Sequence, residues 1–189
     1  MSLEAIQHYL VTALTLTVPV SGLVFLWRGY YLKKHHKVFV LRNELPLAAF
    51  IFYFICLYSI TVFREDISFV DMLTRRHELE KVNLVPLVEM LKLLEYGYIW
   101  SFTYNFIGNI VWFIPLGFFI PILMKRIIKG YQVTLIGMAV SLSIEVLQFL
   151  CVTGIADVDD ILFNTLGTLC GVWLWRIMRR LYYRYKRRR

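Results

Sequence analysis

Glu145 is the one charged residue between Tyr131 and Ala156, in a run otherwise apolar enough to cross a bilayer. A charge at the centre of a membrane helix costs about 2.5–3.5 kcal/mol on insertion scales, so it persists where it faces a polar cavity or does chemistry. Ser141, Glu145 and Gln148 follow i, i+4, i+7 and share one helix face. Two other apolar runs carry matching stripes. Asn105 and Asn109 share a face in one, and Asp160, Asn164, Gly167 and Gly171 follow i, i+4, i+7, i+11 in the other. An acidic corner, Asp157-Val158-Asp159-Asp160, precedes the last run, and Arg64 ends an earlier one.

Three chemistries fit these residue types. Glu145, Asp157 and Asp160 are candidate catalytic carboxylates, able to carry a proton as general acid or base. Arg64, Asn105, Asn109, Gln148 and Asn164 are candidate ligand-binding groups. Asp157, Asp159 and Asp160 are hard oxygen ligands suited to a divalent cation, Ca²⁺ or Mg²⁺. A structural role competes with each. Asp159 or Asp160 suits a helix N-cap, and the asparagines suit interhelical hydrogen bonds. Ordinary nucleophilic hydrolysis is disfavoured, because no Ser–His pair and no activated cysteine accompany the acids. Cys56, Cys151 and Cys170 read as small apolar fillers rather than as a disulfide or metal framework.

These stripes need membrane helices to carry them. The chain has 189 residues, 59% hydrophobic and 18% charged, well to the apolar side of a soluble domain. Uncharged or nearly uncharged runs predict five transmembrane helices, over about 6–27, 45–63, 105–124, 132–152 and 160–178. The fold class is therefore an all-α membrane protein. Charge orders the loops. The net charge is +8, and eight basic residues lie between Arg176 and Arg189. The segments 28–44 and 125–130 are also basic, whereas 64–104 and 151–160 are acidic. By the positive-inside rule the N-terminus is outside and the C-terminus inside. The stripes then converge beneath the outer surface.

After Pro86, Leu87, Leu91, Leu94 and Tyr98 recur at helical spacing, which predicts a short amphipathic helix in the outer loop, on the membrane or docked on the bundle. Three regions follow: two N-terminal membrane helices over 1–63, a core of outer loop and three helices over 64–178, and a basic cytoplasmic tail over 179–189. The first residues lack a basic n-region, so the first helix is expected to remain as a span. The charge is concentrated in the tail, which points to anionic lipid headgroups and the bilayer rather than nucleic acid.

The ordered series resembles the VanZ-like family, membrane proteins named for a teicoplanin-resistance determinant. It runs from Arg64 through Asn83-Leu84-Val85-Pro86, then Asn105 and Gly108-Asn109-Ile110, then Phe113-Ile114-Pro115-Leu116-Gly117-Phe118 and Pro121. Ser143-Ile144-Glu145 with Gln148, then Asp157-Val158-Asp159-Asp160 with Asn164-Thr165 and Gly167, complete it. Leu87 departs from the aromatic that the family often has there. The resemblance implies a multi-pass protein of the bacterial plasma membrane, linked to the envelope and to reduced teicoplanin susceptibility. The leading function is binding or modifying a cell-envelope lipid, glycolipid or lipoglycopeptide in the outer cavity. The alternatives are a small proton- or ion-coupled transporter using Glu145, and a structural partner of an envelope complex.

Overall fold

The computed structural model describes residues 3–62, 82–124 and 128–188. It is helical, with α1 (Leu3–Lys34), α2 (Leu41–Thr61), α3 (Val88–Glu95), α4 (Ile99–Leu123), α5 (Gly130–Cys151) and α6 (Val158–Arg187). Two two-residue strands, β1 (Val82–Asn83) and β2 (Ala156–Asp157), pair in parallel, with Val82 opposite Ala156 and Asn83 opposite Asp157. Among the described residues, four helices, α2, α4, α5 and α6, are long and apolar enough to cross a membrane.

The paired residues show that the long helices alternate in direction. Thr17 of α1 meets Ser59 of α2, and Arg28 meets Glu44, so the two helices are antiparallel. Tyr53 of α2 donates to the Trp112 carbonyl and Phe50 lies against Phe119, which sets α4 antiparallel to α2. Tyr58 bonds Ser143 and Gln148 donates to the Thr61 carbonyl, so α5 runs with α2. α6 runs with α4 and against α5, as the glycines show next.

α4 and α6 touch through backbone. A Cβ on Gly167 would strike the Ile110 carbonyl, one on Gly171 the Ile114 carbonyl, and one on Gly117 the Thr168 carbonyl. The small-residue pair Gly167 and Gly171 thus admits α4. In lipid, where apolar side chains gain nothing by leaving one apolar medium for another, such close van der Waals contact is what holds helices together. Gly137 of α5 packs on the Thr168 side chain in the same way. Leu57, Val62, Phe113, Leu116, Ile120, Val133, Ile144, Cys151 and Val172 form the buried core around these contacts.

The helices are longer than the apolar runs. α4 begins at Ile99, before the span expected from Asn105, and α6 continues to Arg187, through most of the basic tail. Hydropathy marks the part that meets hydrocarbon, whereas Arg, Leu, Tyr and Lys keep a helix going in water. Acids open α6 (Asp159, Asp160) and bases close it (Arg184, Lys186, Arg187), as its macrodipole favours. In α3 the expected stripe stays uncovered: Leu87, Leu91, Leu94 and Tyr98 are all exposed, and Met90 is the residue buried against the bundle. That leaves the stripe facing outward, as a helix lying on a bilayer requires.

Gly171→Leu should therefore force α4 and α6 apart, at a cost above the usual 1–3 kcal/mol of overpacking, because backbone cannot yield. Gly108→Ala should be neutral, since a Cβ there meets nothing within 4 Å. Thermal stability of the detergent-purified variants by size-exclusion chromatography distinguishes the two.

Candidate functional site: a polar cavity at one end of the bundle

A cavity of about 710 Å³ lies where α2 and α5 end and α4 and α6 begin. Asn105, Asn109, Glu145, Gln148, Asp157, Asp160 and Asn164 all line it. The three stripes expected from spacing thus meet in one place. Leu57, Phe113 and Ile144 supply apolar wall from the core. Arg64 lies outside the described residues.

Each polar group is held by a specific partner. Glu145, 4% exposed, accepts the Asp157 backbone N–H at 2.9 Å. This bond ties the middle of α5 to the strand that opens α6. Gln148 Nε2 donates to the Thr61 carbonyl at 3.1 Å, closing the last turn of α2 onto α5. Asn109 Nδ2 donates to Asp160 Oδ1 in a short hydrogen bond between α4 and α6. Asn164 Nδ2 donates to Ser141 Oγ at 2.9 Å, between α6 and α5. Asn164 is 5% exposed, and among the described residues its Oδ1 has no partner. A buried amide oxygen left so is costly unless something in the cavity donates to it.

Asp157 caps α6: its Oδ1 accepts the Asp159 N–H at 2.9 Å and the Asn83 Nδ2 at 2.9 Å. Burial pushes the Asp157 carboxyl above the usual carboxylate range, and those two hydrogen bonds oppose the shift. The cap is therefore Asp157, where spacing pointed to Asp159 or Asp160. β1 brings Asn83 to it, because Asn83 stands opposite Asp157 in the parallel pair.

Asp159 has a different task. It is 1% exposed, and its Oδ1 accepts the Leu87 N–H at 2.7 Å. Leu87 has φ 66, in the left-handed region that costs a leucine about 1–2 kcal/mol. Asp159 thus holds the strained entry to α3 in place and does not line the cavity. Among the described residues no three His, Cys, Asp or Glu side chains gather to hold an ion.

Sequence spacing missed part of the lining. Glu89, Tyr104, Gly108, Trp112 and Ile155 also line the cavity. Tyr104, Gly108 and Trp112 recur every four residues on α4 beside the asparagine face, a signal hidden because aromatics in a membrane helix read as lipid-facing. Glu89 pairs with Lys92 at 2.7 Å on α3. An apolar groove of about 310 Å³ adjoins the cavity on the α5–α6 side. It shares Val82, Asn83, Glu145 and Asp157 with the cavity and is otherwise lined by side chains such as Leu142, Val146 and Phe149.

The family model described as VanZ/LLP1 matches residues 50–179. The chain belongs to the VanZ/LLP1 family. Every residue that lines the polar cavity falls inside this VanZ/LLP1 segment, whereas a cavity of about 300 Å³ between α1 and α2, lined by residues from Phe25 to Ala48, falls outside it. The VanZ/LLP1 segment thus contains the whole polar site. Neither the curated proteins nor the solved structures contain a match to the chain.

Asp159→Ala should release Leu87 while leaving the cavity lining unchanged. Hydrogen exchange at the Leu87 amide should quicken about tenfold or more, the loss expected of one bond to a charged acceptor. Exchange in the middle of α5 should stay as it is.

Proposed function

We propose that this VanZ/LLP1 protein is a plasma-membrane protein of bacteria that binds a cell-envelope lipid, glycolipid or lipoglycopeptide in the polar cavity, and modifies it through Glu145, Asp157 and Asp160. The observation that carries this reading is the juxtaposition of head-sized polar space with apolar groove. A cavity walled by carboxylates and amides shares four residues with a groove lined by apolar side chains. An amphiphile has the same two parts.

The proposal includes the topology. α1 is 32 residues long, uncharged from Ala5 to Trp27, and antiparallel to α2, so it makes a fifth span. The basic segments then lie inside and the cavity opens outside, toward the envelope. In this arrangement Asn105, Asn109, Gln148 and Asn164 orient the ligand, and the binding role expected of Arg64 falls outside the described residues. Residues 1–63 anchor the core over 64–178, and the basic stretch over 179–189 meets anionic headgroups at about 1 kcal/mol per basic residue. Binding a lipoglycopeptide or its target there is the route by which the protein lowers teicoplanin susceptibility. Coupled transport finds less support, since the cavities lined by Phe25–Ala48 and by Trp175–Arg187 share no residue with the polar one.

Glu145→Gln and Asp160→Asn keep side-chain volume and remove charge. Each should cut teicoplanin tolerance or envelope-lipid retention about tenfold or more, while membrane accumulation stays near that of the parent. Full phenotype in both variants sinks the catalytic and binding roles together. For the topology, a reporter that fluoresces only in the cytoplasm should light up when fused after Arg189 and stay dark when inserted between Thr153 and Gly154.

A further inference from the structure

α6 leaves the bundle as an amphipathic helix. A Cβ on Gly130, the first residue of α5, would strike the Arg176 guanidinium, so Arg176 is level with the end of a membrane helix. α6 then continues to Arg187. This stretch contains no Gly or Pro, the usual causes of a sharp bend. At 1.5 Å per residue, Arg180, Arg184 and Arg187 stand about 6, 12 and 16 Å beyond Arg176 along the axis. The headgroup layer of one leaflet is about 5–7 Å deep. Arg180 is within reach of that layer, in keeping with the role proposed above for the basic stretch. Arg184 and Arg187 stand past it, even with α6 tilted by about 20°.

Two faces run along this extension. At about 100° per residue, Arg176, Arg180, Arg184 and Arg187 fall within about 80° of one another. With Arg179 and Tyr183 they line a concavity of about 670 Å³. The Arg179 guanidinium lies 5.2 Å from the Trp175 ring centre and 5.7 Å from that of Tyr183, so part of its freedom is lost before anything binds. The other face carries Ile177, Met178, Leu181 and Tyr182, all exposed. Arg184 borders it on one side and Lys186 on the other, again by helical spacing. No Asp or Glu follows Asp160 in the sequence.

An occupant must match both faces. A nucleic acid answers the arginines and brings nothing apolar to Leu181 and Tyr182. A second copy of the chain would set like charge against like. A bilayer would cover the apolar face only if α6 bent over where its helix runs unbroken. A protein surface with apolar side chains between two acidic margins matches the apolar face and both of its basic borders, as a helix laid in a groove does.

We propose that the end of α6 is a docking site for an acidic protein partner, which packs apolar side chains on Leu181 and Tyr182 and sets carboxylates against Arg184 and Lys186. In the topology proposed above this partner is cytoplasmic. The test uses the full-length protein in phosphatidylcholine nanodiscs, with empty nanodiscs as background, and reads the fluorescence anisotropy of labelled probes. The first probe is a peptide of about three heptads with Leu at a and d and Glu at e and g. The second has Ser in place of every Leu, and the third is a single-stranded RNA of equal charge. The Leu peptide should bind about tenfold or more tighter than either of the others, a factor that burial of one leucine supports. Leu181→Ser should remove most of that advantage, and Arg184→Gln should weaken binding about threefold. Leu91→Ser, on the exposed stripe of α3 at the opposite end of α6, should change nothing. A coumarin amino acid in place of Leu181 should stay bright when brominated phosphatidylglycerol is added to the nanodisc. No binding of the Leu peptide, or equal affinity for the Ser peptide or the RNA, overturns the protein partner. Quenching by the brominated lipid overturns it in favour of the bilayer, and an advantage that Leu91→Ser removes overturns it in favour of α3. Nanodiscs present both membrane faces to the probes, so each of these results is independent of the topology and of the polar cavity, which have their own tests.

Discussion

The contact on which the rest of the bundle depends is backbone against backbone, between α4 and α6. Gly167 and Gly171 lie on the Ile110 and Ile114 carbonyls, and Gly117 lies on that of Thr168. Three such contacts fix both the separation and the register of two parallel helices. Register then decides which polar residues meet. With Thr168 at Gly117, Asp160 and Asn109, each eight residues earlier, come level and bond. With Gly137 seated on Thr168, Asn164 reaches Ser141. A slip of one residue would turn each of these groups into lipid, at a cost of several kcal/mol per unsatisfied group. The polar pairs and the glycine contacts thus enforce one another.

A second constraint is local to the end of the bundle. Two-residue strands are too short to be stable as a sheet, and β1 and β2 persist because side chains bind them. Asn83 and the α6 cap share the Asp157 carboxylate, Glu145 takes the Asp157 amide, and Asp159 takes the amide of left-handed Leu87. Acids separated by 12 residues along the chain are thereby knitted into one knot that roofs the cavity. Each of these acids accepts at least one hydrogen bond that holds the fold. Among the described residues, Asn164 Oδ1 is left without a hydrogen-bond partner.

That division also explains why the acidic corner divides its labour. Asp157 and Asp160 line the cavity, and Asp159 between them does not, because successive residues at a helix start point about 100° apart. A metal site built on all three would need them to converge, and the geometry turns one aside. The exposed stripe of α3 beside this roof, with Met90 alone anchored inward, places an apolar surface next to the polar chamber. Both kinds of surface lie within the VanZ/LLP1 segment.

Much of this was legible in the residues. Hydropathy gave the helices, because the cost of exposing backbone in lipid leaves few alternatives to a helix. Helical spacing placed Glu145 with Gln148, Asn105 with Asn109 and Asp160 with Asn164, because 3.6 residues per turn dictates which side chains share a face. Charge proposed a direction for each span. Three things were beyond reach of the linear chain. The ends of α4 and α6 run past their apolar segments, since hydropathy reports solvent and helix propensity continues beyond it. Tyr104, Gly108 and Trp112 join the cavity only because α2 stands where it does. The separate roles of Asp157 and Asp159 follow from β1 pairing with β2 across 74 residues, a long-range contact that no local pattern encodes. Composition and periodicity determine which faces are polar. Tertiary packing decides which of those faces meet, because hydrogen bonds and close backbone contact are satisfied at one register alone.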